Sequence, residues 1–205
     1  MTISQEKLTT GFWLKWAAAL VVAVPFAILA GLIAGSIVHA LFWPQEPDVG
    51  TPLSNIFVYL ASGAVFGAVM YTVQWAALRS ILPISASWIL LGATGFAIGE
   101  TLVGIALWPL GVLRTTLGML QGEAHEPEAV ILAFCAAWAG LLQTRELNRH
   151  VHAARWWVVG SAMAWGAGGL VMFRPRMIFV GAALMALISG YMLDRELKGP
   201  VSDAS

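Results

Sequence analysis

Apolar runs broken by charges, prolines and tryptophans fall at about 14–42, 55–78, 88–112, 129–144, 156–173 and 177–193. Each lies near the ~17–25 residues a helix needs to cross a hydrocarbon layer ~30 Å thick. The runs are continuously apolar, whereas barrel strands would be ~10-residue segments alternating in polarity. The pattern predicts an all-α integral membrane protein, six transmembrane helices in a single bundle. The fourth and sixth runs are short, and Arg145 and Arg195 are expected to reach the headgroups by snorkelling. Leu110, Leu113, Leu117 and Leu120 recur at helical spacing around Arg114, Thr115 and Thr116. This predicts a short interfacial helix over about 109–120.

Shifted against itself, the pattern repeats. At an offset of 69, Gln74 meets Gln143, Leu78 meets Leu147, Trp88 meets Trp157 and Gly99 meets Gly168. At 50, Arg145-Glu146-Leu147 meets Arg195-Glu196-Leu197; at 64, Gly31 and Gly35 meet Gly95 and Gly99. The six helices thus read as three tandem helical hairpins, none of which buries its small-residue faces alone. Gly31-x-x-x-Gly35, Gly63-x-x-x-Gly67 and Gly95-x-x-x-Gly99 let helix backbones approach closely. Packing inside the bundle is the preferred reading of these faces, homodimerisation the alternative.

The unit Gln74-Trp75-x-x-Leu78-Arg79, a short linker, Trp88 and then a Gly/Ala-rich helix resembles short multi-pass bacterial membrane proteins with a similar Q-W-x-x-L-R…W…G-x-x-x-G unit. The resemblance covers about residues 62–100 and, in eroded form, Gln143 to Gly168, where Thr144 and Asn148 replace the Trp and Arg. It implies the fold and carries over no catalytic residue; the expected location is a bacterial inner (cytoplasmic) membrane.

Composition narrows the function. Of 205 residues, 59% are hydrophobic and 11% charged, with Lys+Arg and Asp+Glu balanced at 11 each. That balance excludes a nucleic-acid binder, which needs a basic surplus against phosphates. The run from Trp16 to Trp43 spans 28 residues, too long for the core of a cleaved signal peptide. Counted by side, Lys7, Lys15, Arg79, Arg145, Arg149, Arg155, Arg195 and Lys198 oppose Arg114, Arg174 and Arg176, so both termini are expected in the cytoplasm. The single cysteine, Cys135, is read as a packing residue.

Candidate chemistry is sparse. Glu100 stands in T-G-F-A-I-G-E-T-L-V-G, 12 residues from Trp88 and 8 from Trp108, the expected interfacial anchors of its helix. At 1.5 Å per residue that is about 18 and 12 Å, near the bilayer centre. An ionised carboxylate there costs at least a few kcal/mol, so Glu100 should face the bundle. It reads as a hydrogen-bonded structural acid, a proton relay or a ligand-recognition group. Ser36, its repeat equivalent, and His39, one turn further along, are the candidate partners; for His39 an interfacial or satisfied core histidine is the preferred reading, ahead of a relay with Glu100 and of ligation of a metal-centred pigment. Gln74 and Gln143 are expected to bond across helices. Arg149, Arg155, Trp156 and Trp157 suit lipid headgroups better than His150 and His152 suit a metal, and no metal site is assigned. No hydrolase motif or phosphate loop occurs.

The first expectation is a non-enzymatic accessory or structural subunit that packs against a larger membrane complex or a second copy of itself, in contact with lipid or pigment. The alternative is a small transporter or substrate-binding membrane subunit using Glu100. A membrane enzyme ranks third, and no cofactor is specified.

Overall fold

A computed structural model of the chain describes residues 10–42, 52–116, 126–151, 154–172 and 176–198. These form six helices and, among the described residues, no strand: α1 (Thr10–Phe42), α2 (Pro52–Leu78), α3 (Ser87–Thr116), α4 (Glu126–Leu147), α5 (Arg155–Met172) and α6 (Ile178–Lys198). Five are long and apolar enough to cross a membrane. The exception is α5, whose 18 residues include three tryptophans, four glycines and Arg155, all of low hydropathy. Residues 109–116 continue α3 rather than beginning a separate interfacial helix, and 117–120 lie outside the described residues.

Each helix packs against the next in sequence, and α6 returns to α1, so the six close into a ring. Glycines set the spacing at the seams. Gly31 and Gly35 face Ser62, Phe66 and Val58 of α2, while Gly63 and Gly67 face Ala97 and Ala93 of α3. Gly95 and Gly99 lie against Ala139 and Cys135 of α4. A Cβ on Gly95 would stand 2.5 Å from the Ala139 Cα, so this close approach admits no side chain. The three small-residue faces are therefore spent between neighbours within the bundle. Outward, α1 exposes Phe26, Leu29, Ile33, Ile37 and Leu41, the surface expected of a helix facing lipid.

The α2–α3 and α4–α5 connections share one end of the bundle, here the junction end, and they are built alike. At the first, the backbone N–H groups of Arg79, Ser80, Ile81 and Leu82 donate to the carbonyls of Trp75, Ala77, Leu78 and Leu78. At the second, Asn148, Arg149, His150 and Val151 donate to Thr144, Glu146, Leu147 and Leu147, the same four bonds 69 positions on. Trp88 to Ser85 and Trp157 to Ala154 complete the correspondence as α3 and α5 begin.

Candidate functional site

The repeat places a polar layer near the junction end. Trp157 N–H donates to Gln143 Oε1 at 3.0 Å, and Gln143 Nε2 reaches the Trp88 carbonyl at 3.5 Å. Both glutamines are buried, and the Trp88 and Trp157 rings meet at 5.7 Å. Trp16, also buried, donates from α1 to Ser189 Oγ of α6 at 3.2 Å. Trp157 is thus a core residue, 1% exposed, and not the headgroup contact its neighbours suggested. Trp88 is likewise buried and does not act as an interfacial anchor, while Trp156, Arg149 and Arg155 are exposed. Arg195 lies over the Trp156 ring at 5.9 Å.

The eroded second junction has exchanged one device for another. In the first, Trp75 N–H donates to the Ile84 carbonyl at 3.1 Å and Arg79 stacks on the Trp75 ring at 4.8 Å. In the second, Thr144 bonds only within its own helix, but Glu146 reaches back to the first linker. Its carboxylate accepts from the Ser85 backbone N–H at 3.1 Å and pairs with Arg149 at 2.7 Å. So buried Glu146 ties one junction to the other.

Eight residues further into the bundle, about 12 Å along each helix, Phe66, Phe96 and Trp165 form a triangle. Their centroids are 4.6, 5.4 and 5.5 Å apart, in edge and tilted arrangements typical of aromatic pairs. Beyond this floor lies a cavity of about 220 Å³ with Glu100 and Ser62 in its wall. Ser62 hydrogen-bonds the Glu100 carboxylate, and Gly63 leaves space for it, since a Cβ there would stand 2.7 Å from Glu100 Oε2. The remaining wall is apolar except for the Cys135 thiol: Ile28 and Leu32 from α1, Ile131 and Leu132 from α4, and the triangle's two phenylalanines. Leu32 is 63% exposed although it lines the cavity, so the cavity reaches the surface beside Leu32, on the side that α1 turns outward.

Of the sequence candidates, only Glu100 reaches this cavity. Ser36 is exposed, and half-buried His39 stands eight residues along α1 from Gly31, about 12 Å. Ser62 was not singled out. Its signal was its place beside Gly63: residues 62 and 66 face α1 while 63 and 67 face α3, putting a small hydroxyl where three helices meet. His152, Trp43, Lys7 and Arg174 lie outside the described residues. Among the described residues no group of His, Cys, Asp and Glu could hold a metal ion.

No protein-family model, curated protein or solved structure matches the chain.

Proposed function

We propose that this is a multi-pass membrane protein of three tandem helical hairpins, both ends cytoplasmic, that holds a small lipid-phase molecule at Glu100. It would act as a small transporter or a substrate-binding membrane subunit. One observation carries the reading: the only carboxylate deep in the described bundle lines a cavity that opens toward lipid. A purely structural acid would be enclosed by its partners, whereas Glu100 has one hydroxyl partner and open space beside it. The cavity falls below the ~300–1,000 Å³ that encloses a drug-sized ligand, which suits the head of a molecule whose remainder stays in the bilayer. The accessory-subunit reading rests on the lack of catalytic groups and on no particular contact, and takes second place.

The test is a solvent extract of the purified protein, compared by mass spectrometry with bulk membrane lipid. A species enriched with the native protein and lost from Leu32→Trp, which fills the mouth from its exposed side, supports the proposal. Extracts that match bulk lipid for both proteins would sink it.

A further inference from the structure

The chemistry of the cavity wall says which head it accepts, an inference that rests on the ligand-binding reading above. A carboxylate offers about four lone-pair positions, and Ser62 occupies one. Among the described residues no Lys, Arg or His lines the cavity, so a phosphate or carboxylate head would face Glu100 with no described cation to balance it. A neutral alcohol would use one position and leave the cost of a lone charge in place. An ammonium group uses several at once and turns the isolated charge into a neutral pair, in a layer where charge is expensive. Phe66 and Phe96, held by Trp165 behind them, close the same small space with apolar rings and leave Glu100 and Ser62 to do the recognising. The rest of the wall, Ile28, Leu32, Ile131 and Leu132, is apolar and suits a hydrocarbon tail.

We infer that the Glu100 cavity takes a cationic amphiphile, a primary or secondary amine on an apolar chain, drawn from the lipid phase beside Leu32 of α1. Ethanolamine phospholipids carry the same ammonium but add a phosphate for which the wall has no partner, so single-charge lipophilic amines are favoured over them.

The test uses the full-length protein in lipid nanodiscs of neutral phosphatidylcholine. Thermal shift and equilibrium binding are measured for dodecylamine, dodecanol, dodecanoate and a short-chain phosphatidylethanolamine. Dodecylamine is expected to bind most tightly, and Glu100→Gln to weaken it by about tenfold to a hundredfold, the worth of a charge-assisted hydrogen bond. Glu100→Asp, which keeps the charge on a shorter arm, is expected to retain part of the affinity and guards against a variant that misfolds. Ser36→Ala, on the exposed face of α1, should change nothing. If dodecanol, dodecanoate or the phospholipid binds as well as the amine, or Glu100→Gln leaves amine affinity intact, the amine assignment is overturned. Blockage by Leu32→Trp would then still support a ligand cavity. If Leu32→Trp also leaves binding of all four unchanged, both readings fall.

Discussion

Trp157 donates its indole N–H to Gln143 Oε1 at 3.0 Å, while the same two atoms one repeat earlier, Trp88 Nε1 and Gln74 Oε1, are both buried without a partner. Two glutamine–tryptophan pairs with the same 14-residue spacing thus occupy corresponding places with opposite outcomes.

That contrast sets an order of stabilities. Gln143→Met leaves the buried Trp157 N–H without its acceptor and should cost about 1–3 kcal/mol. Gln74→Met removes an amide oxygen that bonds nothing, and should stay within about 1 kcal/mol of the parent in either direction. Unfolding by denaturing detergent, titrated into mild micelles, compares the two. Equal losses would mean that the two sites are not distinct.

The glycine seams predict a second gradient. Gly95→Ala drives a methyl to 2.5 Å from the Ala139 Cα and 2.7 Å from its N, both backbone atoms. Overpacking of that kind costs about 1–3 kcal/mol. A methyl on Gly31 meets the Phe66 Cβ and the Ser62 carbonyl at 3.2 Å, where a few tenths of an ångström suffice. Gly31→Ala should therefore cost under about 1 kcal/mol, and thermal midpoints in one detergent should rank the two accordingly.

Glu146 joins the junctions, so its loss should be felt in the other linker. Glu146→Ala is expected to cost about 1–3 kcal/mol and to speed hydrogen exchange at the Ser85 amide. Exposed Arg149 adds little as an ion pair, and Arg149→Ala should cost under about 1 kcal/mol without altering that exchange.

Trp165→Ala removes one corner of the aromatic triangle and should destabilise by about 3–5 kcal/mol. Because the triangle floors the Glu100 cavity, Trp165→Ala should also enlarge it. Trp165→Phe, which keeps an edge toward Phe66 and Phe96, should recover much of the stability in the same assay.

The helices and their internal repeat were legible because bilayer thickness and small-residue spacing act on single runs of chain. Gln143 and Trp157 could be aligned with Gln74 and Trp88 by counting, yet whether each pair closes depends on how α4 is rotated against α5 and α2 against α3, which spacing does not fix. The cavity was half legible. Glu100 stood out by its cost in an apolar run, but its partner Ser62 lies on a different helix and resembles any small residue on a packing face. Trp88 and Trp157 misled for a related reason, since an indole at a helix start suits the headgroups and a buried amide equally. The triangle of Phe66, Phe96 and Trp165 draws on three helices and left no periodic trace.

The ring has one extensive seam between helices distant in sequence, where Trp13 covers Gly190 and Trp16 bonds Ser189. Every other broad interface joins consecutive helices and can form as soon as the later one is made. During synthesis from the N-terminus, α1 therefore waits for α6 to emerge, with Trp13 and Trp16 lacking these partners until α2 to α5 have been made. The order of assembly is written into the topology: growth by neighbours, then a single late closure that depends on an indole finding one serine.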